Sequence, residues 1–349
     1  MSALLNKFVR AQTISSDVEA NKNALLFCRA WLKKRGISSR LIVLCGKPTL
    51  IWGAPLKKTR FLFNTHIDVV PGSPNVFKPR MVKSRLYGRG TADTKSSVAV
   101  FLELSREMTD AIIDKNILFS IVCDEEVGGE STKQLISMLP KLEFGVFGEP
   151  TDLEVVNEAK GIMQIKITTR GKTSHGSKPW MGNNAIDKLS KLVSDFSKNH
   201  RQNKPTKNTT YNLSLISGGN AINQVPNQCE AWLDVRYNPT DNPIHILKAL
   251  RREFSGCAIE IIKSESYIQT SQDNIFVKDF LKCLEKNNIP NKLRFDFGSS
   301  DARHCTKLGI PAIVFGPTGN NLHQEDEWVD VPSITKCKKV YEDFINRLP

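Results

Sequence analysis

The chain has 349 residues, a length at which two domains are expected. Hydrophobic residues make up 40%, enough for packed cores, and no apolar run approaches the roughly 20 residues that span a bilayer. The net charge of +13 comes from short, dispersed runs such as Lys33-Lys34-Arg35 and Arg251-Arg252, without interleaved aromatics or a zinc finger, so a nucleic-acid partner is not expected.

The opening segment Met1-Ser2-Ala3-Leu4-Leu5-Asn6-Lys7 lacks the sections of a secretory signal, and the eight cysteines are scattered without a C-x-x-C pair. A cytoplasmic protein with reduced thiols is the expectation.

In chain order, residues 17–35 place Ala24, Leu25, Cys28, Trp31 and Leu32 at helical spacing and stop at Gly36, which suits a helix C-terminus. Arg60-Phe61-Leu62-Phe63 is a short apolar run of strand type leading into His66. Residues 94–108 read as a helix with Val98, Phe101, Leu102 and Leu104 on its buried face. The stretches from Ile117 to Cys123 and from Phe144 to Phe147 are buried strand types, followed by Asp124-Glu125-Glu126 and by Glu149. The pattern then changes. Gln164 to Arg170 alternates like a half-exposed strand, 182–198 and 243–254 read as helices, and 210–216, 228–236 and 258–263 as strands. Ile310 to Phe315 returns to the buried strand type shortly before His323. Continuous apolar strands alternating with helices predict an α/β domain over 1–161 and 271–349, a mainly parallel mixed sheet sandwiched by helices. The middle section predicts an inserted two-layer α+β domain over 162–270.

Five segments supply side chains that zinc accepts: His66, Asp93, the pair Glu125-Glu126, Glu149 and His323. Two imidazoles and three carboxylates are the ligand count for two zinc ions sharing one carboxylate, with one glutamate left over as a base. Each candidate follows a strand-like run, and parallel sheets bind ligands beyond the carboxyl ends of their strands. In a run of two acids, neighbouring side chains point to different sides, so one can bind metal while the other faces the attacking water. A single loop histidine is usually solvated, and Glu125-Glu126 could cap the next helix. Neither ordinary reading accounts for the whole set.

The stretches His66-Ile67-Asp68-Val69-Val70-Pro71, Leu86-Tyr87-Gly88-Arg89-Gly90-Thr91-Ala92-Asp93-Thr94-Lys95, Asp124-Glu125-Glu126-Val127-Gly128-Gly129 and Gly148-Glu149-Pro150-Thr151 resemble a di-zinc amidohydrolase and peptidase superfamily. Its members include succinyl-diaminopimelate desuccinylase, acetylornithine deacetylase, aminoacylase and glutamate carboxypeptidase. Gly171-Lys172-Thr173-Ser174-His175, Ser300-Asp301-Ala302-Arg303 and His323-Gln324-Glu325-Asp326-Glu327 continue the match in the family's order.

The resemblance implies two zinc ions per subunit, with cobalt substitution left open. One ion would fall to His66, Asp93 and Glu149, the other to Asp93, Glu126 and His323, so that Asp93 bridges. Asp68 matches an aspartate that orients the first imidazole, and Glu125 the general acid/base. His175 matches a histidine that reaches the active site of a second subunit, which implies a homodimer formed through an insert acting as dimerisation and lid domain. Asn223, Arg236 and Arg303 are candidates for gripping a substrate carboxylate. The implied reaction is hydrolysis of the amide bond of a small N-acyl amino acid, in lysine or arginine biosynthesis. A dipeptidase or carboxypeptidase of the same superfamily is the alternative. Ser96-Ser97 stands where the family often has glycines, which blurs the choice between branches.

Overall fold

The computed structural model describes residues 1–349, which divide into two compact units. One comprises Met1–Glu158, Gln269–Phe295 and Ser300–Pro349; the other comprises Ala159–Ile268 with Asp296–Ser299.

The first unit is built on a nine-stranded mixed sheet. Its centre is parallel: Ile117–Val122 lies beside Phe61–His66, then come Phe144–Phe147 and Ala312–Val314. Every residue of these four strands is buried, which is why they read as unbroken apolar runs. Helices Val18–Lys33, Ser96–Glu107, Ile275–Lys286 and Val331–Arg347 contribute their apolar faces to the same core. At its heart Phe63, Phe101, Phe119 and Tyr341 pack with ring centroids 5.0–5.9 Å apart. Contacts of that kind are worth about 0.5–1.5 kcal/mol each beyond the area they bury.

The flanks of this sheet are antiparallel. On one side the hairpin Ser39–Leu44 and Lys47–Gly53 pairs onto Ile117–Val122. On the other, Val155–Ala159 meets Ala312–Val314. A smaller four-stranded sheet lines up Gly319–Asn320, Trp328–Asp330, Arg85–Tyr87 and Arg80–Val82. Its pairing of Trp328–Asp330 with Arg85–Tyr87 draws the loop carrying His323 towards the segment that runs into Asp93.

In the second unit an antiparallel sheet orders Thr210–Gly218, Gln228–Tyr237, Gly161–Arg170 and Ala258–Glu265. Alternate residues of the two central strands are buried, and Ile165, Ile167, Leu233 and Val235 pack against Leu189, Phe196 and Leu250 of helices Ala185–His200 and Pro243–Glu253 and against Phe254 just past the second helix. Both helices start on an asparagine, Asn184 and Asn242, whose side chain accepts from backbone N–H groups of the first turn. Lys166 and Glu230 pair at 2.7 Å among the residues that alternate with the buried set. No helix of the chain is long and apolar enough to cross a membrane. All eight cysteines are free thiols.

Candidate metal centre

The parallel strands deliver three of the five ligand candidates. His66 is the last residue of its strand, Glu125 and Glu126 follow Ile117–Val122, and Glu149 follows Phe144–Phe147. Three neighbouring strands thus present side chains at their carboxyl ends, where α/β sheets hold ligands. Asp93 comes from an irregular helical turn, Thr91–Lys95, that leaves helical geometry at Asp93 and Thr94 before the helix Ser96–Glu107 begins. His323 comes from the loop between Gly319–Asn320 and Trp328–Asp330.

Asp93 stands between the two histidines. Its Oδ1 lies 3.1 Å from His66 Nε2, and its Oδ2 lies 3.1 Å from His323 Nε2. Glu149 Oε2 lies 3.5 Å from His66 Nε2, and Glu126 Oε2 lies 3.1 Å from His323 Nε2. The donor atoms of each group, His66-Asp93-Glu149 and Asp93-Glu126-His323, all lie within 4.8 Å of one another. Ligands about 2.0–2.2 Å from a tetrahedral ion sit roughly 3.4 Å apart, so these separations fit one cation in each group.

The electrostatics agree with pockets built around positive charge. Burial works against a charged His66, but Glu149, Asp68 and Asp93 outweigh it and raise its pKa well above the ordinary value. Asp93 and Glu126 raise His323 to about 10. Burial raises Glu149 to about 7 despite His66. Glu125 is also pushed well above the usual carboxyl range, first by burial and then by the charge of Asp301. A fixed cation relieves such crowding of carboxylates more durably than protons do.

Asp68 supports both His66 and the Glu125-Glu126 turn. Its main-chain carbonyl lies 3.0 Å from His66 Nδ1, nearer than its carboxylate at 3.4 Å. The carboxylate is turned aside because it accepts the backbone N–H of Glu125 and of Glu126, each at 3.3 Å, and the hydroxyl of Ser15 at 2.8 Å. Ser15 carries no motif and was invisible to sequence reasoning. Arg303 places Nη1 3.8 Å from Glu125 Oε1 and 3.4 Å from Asp301 Oδ1, and its Nη2 donates to the Gly128 carbonyl at 2.6 Å. This arginine, expected to grip substrate, here engages the turn that carries Glu125.

Two further supports, Arg89 and Glu327, were missed. Glu327 and Arg89, both buried, pair at 3.0 Å beside the turn that carries Asp93. Lys95 is fully buried nearby, and burial drags its pKa down to about 7 although Glu327 and Asp68 oppose the fall. Both Arg89 and Glu327 lie inside stretches already singled out; long-range pairing, not local pattern, gives them their role.

The remaining candidates belong to the second unit. His175 is exposed, with Nδ1 2.7 Å from Ser177 Oγ. It bridges to Gln224, and the N–H of Gly176 donates to the Asn223 carbonyl at 2.7 Å, so His175 and Asn223 share one pair of loops. Arg236 lies apart on the strand Gln228–Tyr237, where Asp234 engages its guanidinium at 3.0 Å.

Residues 62–347 match the sequence profile described as Peptidase family M20/M25/M40. A Ruegeria sp. protein named succinyl-diaminopimelate desuccinylase 2 is 29% identical, with 95% of this chain and 91% of that protein covered. LysW-lysine/LysW-ornithine hydrolase of Sulfurisphaera tokodaii is 25% identical over 84% of this chain and 82% of its own length. A tripeptidase crystal structure from Staphylococcus aureus shares the fold, with a TM-score of 0.80, 22% identity and coverage of 99% and 98% of the two chains. The profile match takes in every metal-ligand candidate from His66 to His323, and the chain belongs to peptidase family M20/M25/M40.

Proposed function

We propose that this chain hydrolyses the amide bond of an N-acyl amino acid, of the succinyl-diaminopimelate or acetylornithine type, releasing a carboxylate and a free amine. Two zinc ions per subunit would be held by His66, Asp93 and Glu149 and by Asp93, Glu126 and His323. The observation that carries this reading is Asp93 offering one oxygen to each histidine at 3.1 Å, with Glu125 left beside the set.

Bound zinc supplies Lewis acidity, polarising the scissile carbonyl and acidifying a water. The rest falls to the protein. Glu125 takes a proton from the attacking water at a carboxylate oxygen and hands it to the departing nitrogen. Asp68 fixes the Glu125-Glu126 turn through both backbone N–H groups, keeping the base and its metal-binding neighbour in register.

A desuccinylase-named relative aligned along 95% of the chain supports the acyl-amino-acid branch. The net charge of +13 favours an anionic substrate by raising its local concentration, and Arg303, Arg236 and Asn223 remain the candidates for its carboxylates. We further assign a homodimer formed through the unit of Ala159–Ile268, with His175 reaching into the partner's site. In support, Trp180 and Met181 are 75% and 58% exposed and Ile222 fully so, on the loops that hold His175. Apolar side chains so placed suit a surface covered by a second copy. The free thiols fit our placement in the cytoplasm.

The test is a panel of N-succinyl and N-acetyl amino acids against dipeptides, with and without a chelator, on wild type and Glu125→Ala. Acyl-amino-acid turnover abolished by the chelator is expected. Glu125→Ala should keep its metal while losing about 10²–10⁴-fold in rate. Turnover of dipeptides alone would replace this reading with a peptidase, and normal rates in the variant would remove Glu125 from its role.

A further inference from the structure

Resting on the two-ion reading above, we propose that Arg89 and Glu327 form a positioning unit for the second metal position, the one between Asp93, Glu126 and His323.

The two histidines are held by different means. His66 is buried, and its Nδ1 faces Asp68, so its ring is oriented directly. The His323 side chain is 52% exposed. Its Nε2 faces Asp93 and Glu126, and its Nδ1 has no hydrogen-bond partner in the fold. The placement of this ring therefore has to come through its backbone, which sits in the left-handed region at φ 64°. A residue other than glycine stays there only when its surroundings impose it.

Arg89 is what imposes it. Its Nη2 donates to the His323 carbonyl at 3.0 Å, and its Nη1 to the Gln324 carbonyl at 3.1 Å. Nη1 also donates to Glu327 Oε2 at 3.0 Å, and that carboxylate holds the opposite ligand. Oε2 accepts the Gly90 N–H at 3.0 Å, and Oε1 accepts those of Ala92 and Asp93 at 3.1 and 3.2 Å. One buried ion pair thus joins the backbone of the bridging Asp93 to the backbone of His323, 230 residues away in sequence. The third ligand is secured independently, since the Glu126 N–H donates to Asp68. Nearby, the Lys95 Nζ is buried without a hydrogen-bond partner. Asp68 faces His66 directly, whereas Arg89 donates to the His323 backbone itself and reaches the shared Asp93 only through Glu327, so disturbing Arg89 should act chiefly on the second ion.

The test is zinc titration of metal-free full-length protein by calorimetry, for wild type, Glu126→Gln, Arg89→Lys and Glu327→Gln, with thermal unfolding of each metal-free protein alongside. Wild type should bind two ions, and Glu126→Gln identifies the step belonging to the second. Arg89→Lys keeps the charge but loses the planar fork that spans Glu327 and the two carbonyls. Its second step should weaken by about 10–100-fold, as expected for a residue that orients ligands. The first step and the unfolding temperature should stay near wild type, and excess zinc should restore turnover. Glu327→Gln should shift the same step in the same direction. Equal weakening of both steps with a lowered unfolding temperature, unchanged binding, or failure of both variants to fold would make the pair a brace for the fold and overturn the proposal. A wild type binding a single ion would instead overturn the two-ion reading, and this inference with it.

Discussion

Asp68 shows how much one buried side chain can carry. Its carboxylate accepts from two consecutive backbone N–H groups and a hydroxyl, while its carbonyl and carboxylate both face the His66 ring. Asp68→Ala would leave the N–H groups of Glu125 and Glu126 without an acceptor and His66 without its carboxylate neighbour. Metal affinity and turnover should each fall by about 10–100-fold, measurable by zinc titration and steady-state rates. Unchanged affinity would mean that the carbonyl alone orients the ring. At this scale the fold brings all five ligand candidates together. His66, Glu126 and Glu149 were legible because each ends or follows a buried apolar strand. Asp93, on an irregular helical turn, and His323, in a loop, follow no such strand and were legible only through the stretches that carry them. Their supports were not. Ser15 meets Asp68 across 53 residues and Arg89 meets Glu327 across 238, and no local pattern encodes such pairs. Arg236 looks like a carboxylate grip in sequence, yet Asp234 two residues earlier already engages it.

Among the elements, the turn after Glu126 is the most exacting. Gly129 has φ 66°, and a Cβ there would lie 1.8 Å from Asp301 Oδ1. Glycine is required for the space as much as for the backbone angle. Gly129→Ala should force the buried Asp301 carboxylate aside, loosening Arg303 and, beside it, Glu125, the proposed base. We expect a loss of stability of about 1–3 kcal/mol together with a fall in kcat, read by denaturant unfolding and kinetics. A variant matching wild type in both would show that the turn yields freely. The apolar runs before the ligands were found in sequence because central parallel strands are buried on both faces: 117–123 became Ile117–Val122, and 144–147 became Phe144–Phe147. The hairpin Ser39–Gly53 escaped notice. Its turn residues Cys45 and Gly46 both have positive φ, a geometry usually announced by Asn-Gly or Asp-Gly. The small sheet that positions His323 escaped for a related reason, since its strands are two or three residues long and show no periodicity.

For the whole molecule, the two units divide the candidate residues: His66, Asp68, Asp93, Glu125, Glu126, Glu149, Arg303 and His323 fall in one, and His175, Asn223 and Arg236 in the other. The alternation of apolar runs and helices forecast the parallel centre of the large sheet, whereas its antiparallel flanks lay outside that pattern. Composition forecast a charge of +13 but not where it acts, because charge sum carries no positional information. The assignment of His175 to a partner's site makes a prediction that only an assembly can meet. Glu125→Ala and His175→Ala should each be nearly inactive alone, and should regain activity when co-refolded. In a mixed dimer, the subunit carrying His175→Ala keeps its Glu125 and receives an intact His175 from its Glu125→Ala partner. Random pairing in a two-fold dimer makes half of the dimers mixed, each with one complete site of two, so roughly a quarter of the wild-type rate per subunit should return. A histidine serving its own subunit would give no recovery at any mixing ratio, since every subunit would still lack one group. The quarter-rate recovery therefore separates a shared site from two independent ones without reference to the identity of the substrate.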